Sequence, residues 1–211
     1  MANVEPFAAE GVCGFLHRPV GVADQGIVLT HGAGGNCEAP LLIAAAAAFC
    51  TSGFHALRID LPFRRQRPKG PPSPSTAGKD REGLQSAAAA MRRIVPGKII
   101  LGGQSYGGRQ ATMLAADVPD QADALVLFSY PLHPPGKPDR LRIEHFPRLR
   151  TPCVFVQGTA DPFGSPVELR PMLAMIPART DLIIVDGAGH DLRRGRFDLA
   201  SVVTTSLPLL T

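Results

Sequence analysis
Residues 98–116 hold an apolar run (Ile99, Ile100, Leu101), then Gly103-Gln104-Ser105-Tyr106-Gly107, then a helix-compatible run through Ala116. A strand, G-x-S-x-G and a helix in that order place the serine on a tight strand-to-helix turn with its hydroxyl raised. Such a turn needs a covered strand before it and a helix folding back on that strand. The rest of the chain is therefore read as a set of supports for Ser105.

Those supports are legible in order. Residues 4–8 and 12–17, separated by Glu10 and Gly11, fit a hairpin at a sheet edge. Residues 26–30 are β-branched and apolar, as in a strand covered on both faces, and they deliver the chain to HGAGGN at 31–36. Five alanines at 44–48 mark a helix over 38–50, stopped by Gly53, and 55–61 reads as the next strand. A proline-rich, basic break covers 62–77, a helix 79–94, a strand 124–130, and a second irregular stretch 131–150. Strands at 152–158 and 181–185 alternate with helices at 166–175 and 197–206. This alternation specifies an α/β fold: a mostly parallel central sheet of about seven to eight strands, helices on both faces, and right-handed crossovers. The sites of such sheets lie at the carboxyl ends of the strands, where every motif named here falls.

Composition excludes several function classes. With 45% hydrophobic residues in 211, one domain spanning 1–211 can bury a full core. The net charge of +4 comes with no aromatic-interleaved basic surface, which argues against nucleic acid as a partner. Cys13, Cys37, Cys50 and Cys153 form no C-x-x-C pair, so neither a metal site nor a disulfide framework is expected. There is no leader-like start and no apolar run of spanning length, so no membrane association is expected and the location expected is cytoplasmic.

An unaided serine hydroxyl is a poor nucleophile and requires a general base held by an orienting group. Of six histidines, His190 is best placed, in the glycine-rich loop after the last apolar strand. His17 and His55 lie in or beside strands, and His133 and His145 lack a rigid mount. Asp161, just beyond the strand at 152–158, leads as the orienting carboxylate, with Asp186 in reserve and Asp191 read as the N-cap of the last helix. The order Ser105, Asp161, His190 belongs to one of the convergent triad arrangements. Backbone N–H groups of Tyr106 and of Ala33, with Gly34 as alternative, are the expected oxyanion donors. No phosphate-loop or dinucleotide-binding glycine pattern is present, and no cofactor is called for.

With HGAGGN at 31–36, GGQSYGG at 102–108, QGTADPFG at 157–164 and DGAGHDL at 186–192, the chain resembles the α/β-hydrolase superfamily. It looks most like the small, cap-free, dienelactone-hydrolase-like branch, in a group of hydrolases that includes a testis-expressed mammalian protein and a histone-acetyltransferase-complex subunit. The resemblance implies Ser105 as nucleophile, Asp161 as acid, His190 as base, and no cofactor. Dienelactone hydrolases proper have a cysteine where Ser105 stands, so their substrate does not carry over. The expected reaction is hydrolysis of a small ester or thioester through an acyl-enzyme. An acyltransferase with the same triad and a non-catalytic interaction module on the same fold are the alternatives. About twenty residues between Tyr130 and Thr151 leave no room for a cap. The substrate rim is expected from the two irregular stretches, with Phe63, Arg64, Arg65 and His133 as binding residues. The basic run through Lys69 points to an anionic group on a small acyl substrate if that loop folds over the site.

Overall fold
The computed structural model describes residues 3–210. Its centre is one eight-stranded sheet with strand order β1-β2-β4-β3-β5-β6-β7-β8. The strands are β1 (Asn3–Ala9), β2 (Val12–Arg18), β3 (Gln25–Thr30), β4 (Phe54–Ile59), β5 (Ile99–Gln104), β6 (Ala124–Phe128), β7 (Cys153–Gly158) and β8 (Thr180–Val185). β1 and β2 pair antiparallel, as do β2 and β4. Every pairing from β4 through β8 is parallel. The opening hairpin turns on Glu10 (φ 49°) and Gly11 (φ 80°). Two successive positive φ values are what a two-residue loop needs to match the twist of its strands.

Parallel strands covered on both faces bury both sets of alternating side chains, and the core divides accordingly. Val28, Leu57, Leu101, Leu125, Leu127 and Phe155 face one layer, packed with Leu84 and Met91 of α3 (Ala77–Ile94) and Ala111 and Leu114 of α4 (Tyr106–Asp117). Ile27, Leu29, Ile100, Val126, Val154 and Val156 face the other. There they meet Leu42, Ala45, Ala46 and Phe49 of α1 (Pro40–Thr51) and Val202 and Val203 of α6 (Leu199–Ser206). The alanines of α1 let the helix lie close to the sheet, as its composition suggests.

Two local expectations are corrected. Residues 62–77 are not an unbroken loop, because α2 (Pro62–Gln66) forms at their start. Pro62 presets the first turn, and the carboxylate of Asp80 accepts the otherwise orphaned Phe63 N–H at 2.9 Å. Asp191 does not cap the last helix. It caps a 3-10 turn at Leu192–Gly195, while Asp198 accepts from Ser201 N–H and starts α6.

The stretch between β6 and β7 contains only the 3-10 turn Phe146–Arg148, and no cap covers the sheet's carboxyl edge. The remaining helix, α5 (Pro166–Leu173), opens with a capping box between Ser165 and Glu168. No helix among the described residues is long and apolar enough to cross a membrane.

Candidate active site
The strand β5 ends at Gln104 and α4 starts at Tyr106, so Ser105 alone makes the turn, at φ 51° and ψ −114°. A non-glycine residue there is strained by roughly 1–3 kcal/mol and persists because its neighbours hold it. Ser105 N–H donates to Phe128 O at 2.8 Å, and Arg109 N–H donates to Ser105 O at 2.9 Å.

The flanking glycines are required by proximity. A Cβ on Gly103 would lie 2.2 Å from Thr30 Oγ1 and 2.8 Å from Thr30 O. One on Gly107 would lie 2.3 Å from Thr30 Oγ1 and 2.6 Å from His31 O. The elbow is thus pressed against the end of β3. Gly107→Ala is expected to lower unfolding stability by about 2 kcal/mol or more in urea titration, although alanine is intrinsically the better helix residue by about 1 kcal/mol. A stabilised variant would mean that the contact with β3 is loose.

His190 Nε2 lies 2.8 Å from Ser105 Oγ, and its Nδ1 lies 2.9 and 2.8 Å from the two carboxylate oxygens of Asp161. A carboxylate can only accept, so Nδ1 carries the proton and Nε2 accepts from the serine. The Asp161 side chain is fully buried and His190 is 23% exposed. The carboxylate also accepts from Phe163 N–H at 2.9 Å and from Gln157 Nε2 at 3.0 Å. Gln157, itself fully buried, bonds Gly164 O at 2.6 Å and accepts Tyr130 N–H at 2.9 Å, tying β7 to the turn that carries Asp161. The Phe163 ring stacks on the imidazole with centroids 4.1 Å apart. Sequence reasoning passed over Gln157 and Phe163, although both sit inside QGTADPFG. The reserve carboxylate, Asp186, is turned away and paired with Thr159 Oγ1 at 3.3 Å.

The loop after β3 lies directly beside the serine: a Cβ on Gly32 would be 3.4 Å from Ser105 Cβ. Among the described residues, the N–H groups of Ala33 and Gly34 donate to no backbone acceptor, and Tyr106 N–H is an orphan at the first position of α4. His31, fully buried, clips this loop by donating from Nδ1 to Gly32 O at 2.8 Å and accepting Leu61 N–H at 3.1 Å. Burial holds its pKa below the usual imidazole value, consistent with a neutral ring that accepts at Nε2.

The four residues expected to bind substrate do other work. Arg64 is 7% exposed and turns inward, donating to Gly35 O at 2.7 Å, to Ala33 O at 2.8 Å, and to Arg67 O and Gly70 O at 3.1 Å each. A buried guanidinium has to satisfy its donors, and here five-donor geometry clamps the glycine loop. Phe63 is buried beneath it, edge-on to both His31 (5.5 Å) and Tyr106 (5.6 Å). Arg65 donates to Gly11 O in the hairpin, and His133 is held by Pro134 O and Glu168. None of the four lines the cleft beside Ser105.

That cleft, of about 810 Å³, is walled by Pro71, Pro72 and Pro74 from the proline-rich stretch, by Gly78 at the start of α3, by Arg109, Gln110 and Met113 of α4, and by Pro131, Arg142 and Phe163. The stretch at 62–77 therefore does reach the site, through its second half rather than its basic first half. The cysteines are free thiols, with Cys153 wholly buried and Cys37 pushed up to about 12 chiefly by burial. The described residues contain no group of three or more side chains suited to hold a metal ion.

The model of the alpha/beta hydrolase domain family matches residues 23–201. An α/β serine hydrolase homologue from Coxiella burnetii superposes with TM-score 0.75 at 20% identity, covering 98% of both chains. A serine hydrolase without lid from Xanthomonas campestris gives TM-score 0.74 at 18% identity over 98% of this chain and 94% of its own. A dienelactone hydrolase from Anabaena variabilis gives 0.71 at 21% identity over 96% and 95%. At these identities the likeness is one of fold, and it includes the Xanthomonas campestris hydrolase described as lacking a lid.

Proposed function
The chain belongs to the alpha/beta hydrolase domain family, and from that premise we propose that it is a serine hydrolase cleaving a small ester or thioester through an acyl-enzyme. The observation that carries this reading is the unbroken hydrogen-bond line from Ser105 Oγ through His190 to the buried Asp161.

The chemistry follows from that line. As Ser105 Oγ attacks the carbonyl carbon, its proton passes to His190 Nε2, and the imidazolium so formed is stabilised by the carboxylate at Nδ1. The carbonyl oxygen becomes an oxyanion, with Tyr106 N–H and Ala33 N–H as its donors and Gly34 N–H as the neighbouring alternative. Arg64 on the Ala33 and Gly35 carbonyls holds that loop in place before substrate arrives, so the donors need no reorganisation. His190 then returns the proton to the leaving oxygen or sulfur. Water, deprotonated by the same nitrogen, releases the acid and restores Ser105.

The test is the covalent intermediate. Rapid mixing with p-nitrophenyl butyrate should give a burst of p-nitrophenol close to one equivalent, and acid-quenched protein should carry a butyryl mass on the peptide containing Ser105. Butyrylation of another residue, or turnover that persists in Ser105→Ala, refutes the reading.

A further inference from the structure
Three arginines, Arg81, Arg109 and Arg142, line the cleft that contains Ser105 and His190. They come from α3, from α4 and from the stretch before β7, so the fold, not local sequence, brings them to one wall. None has a carboxylate within ion-pair distance among the described residues, whereas arginines elsewhere, including Arg18, Arg92, Arg93, Arg148 and Arg179, do. Asp80, the acid next to Arg81 in sequence, is fully buried and engaged by Tyr106 Oη at 2.7 Å and Phe63 N–H at 2.9 Å. Glu144, near Arg142, is exposed.

Most of their side-chain donors are also unused among the described residues. Arg109 Nε is buried without any hydrogen-bond partner, and so is Nε2 of Gln110, a residue only 1% exposed that lines the same wall. Arg81 makes one side-chain bond, to Gln110 Oε1 at 3.1 Å. The charges act on one another: burial lowers the Arg142 pKa and the Arg109 charge lowers it further, against smaller raising effects of Tyr130 and the exposed Glu144. Half-buried, like-charged guanidinium groups with idle donors destabilise a wall unless an anion completes it.

We infer that this wall is the subsite for an anionic group on the substrate, a carboxylate or phosphate carried a few bonds from the scissile carbonyl. The inference rests on the acyl-enzyme reading for its orientation. Arg109 lies one helical turn beyond Ser105 on α4, a rise of about 6 Å, and Met113 one turn further, so the serine, a cation and an apolar surface follow one another along one face. A short dicarboxylic half-ester spans that interval. Guanidinium groups match the planar oxygens of such an anion, and hydrogen bonds to charged groups in a partly desolvated cleft are the strong ones.

The experiment uses Ser105→Ala protein, so that binding is read without turnover. Monomethyl glutarate, ethyl phosphate and dimethyl glutarate are titrated calorimetrically at low ionic strength. At least one anion is expected to bind about tenfold or more tightly than the neutral diester, and whichever does so identifies carboxylate or phosphate as the source. Added to the same background, Arg109→Gln with Arg142→Gln should bring that ratio to within about twofold. Arg142→Gln alone, in a surface stretch, gives an intermediate ratio if the double variant is unstable. Arg170→Gln, an exposed charge on α5, is expected to leave the ratio unchanged and so controls for net charge. Equal affinities for all three ligands, or an anion preference that survives removal of the arginines, overturns the subsite. Anion selectivity in a wild-type protein that neither hydrolyses p-nitrophenyl esters nor is labelled by a fluorophosphonate would instead sink the hydrolase reading and leave the subsite standing.

Discussion

Ser105→Ala is expected to lower kcat for p-nitrophenyl esters by on the order of 10⁵-fold and to abolish labelling by a fluorophosphonate probe. Nothing else at the elbow offers a nucleophile: Gln104 is held to His190 O at 3.3 Å and the Tyr106 hydroxyl is committed to Asp80. The substitution removes one oxygen and leaves the left-handed backbone of residue 105 as strained as before, so the melting temperature should move by only a few degrees. That separation matters, because an inactive but folded protein assigns the loss to chemistry. Persistent labelling of the alanine variant removes Ser105 from the role of nucleophile.

Asp161→Asn is expected to lower kcat by about 10³- to 10⁴-fold. The native carboxylate accepts at both oxygens: His190 reaches each, Phe163 N–H adds to one and Gln157 Nε2 to the other. An asparagine has one acceptor to offer in place of two. Its NH₂ must face either the Phe163 N–H or the Gln157 amide, donor against donor, and it favours the imidazole tautomer with the proton on Nε2. That tautomer cannot take a proton from Ser105. A buried donor conflict also costs roughly 1–3 kcal/mol of stability, so both turnover and denaturant midpoint should fall. Near-native kcat in Asp161→Asn would show that another group orients His190.

Most of the architecture and the three residues now on one hydrogen-bond line were legible because each rests on a local signal. Strand periodicity, the alanines of α1, and motifs at strand ends all act within a few residues, and the parallel sheet follows from their alternation. What sequence reasoning misplaced depends on which way a side chain turns. Arg64 and Arg65 are expected at the substrate rim, yet one faces inward because the carbonyls of Ala33, Gly35, Arg67 and Gly70 surround it and the other reaches the hairpin. Phe63 was assigned to the rim but is drawn under the loop by two ring contacts. Gln157 shares QGTADPFG with its partners Asp161 and Gly164, but its third partner, Tyr130, joins it only in three dimensions. The wall of Arg81, Arg109 and Arg142 has the same origin: its members come from separate elements that meet only in the folded chain.

Under the proposed mechanism, the uncovered carboxyl edge of the sheet bears on the fate of an acyl group attached to Ser105. With no helical layer over the cleft and His190 23% exposed, the reactive face of the proposed intermediate is within reach of water from solution. Any alcohol, thiol or amine acceptor must outcompete it from solution. Partitioning is thus set by acceptor concentration and affinity, and a transferase outcome would require a second bound molecule close enough to displace solvent from that face.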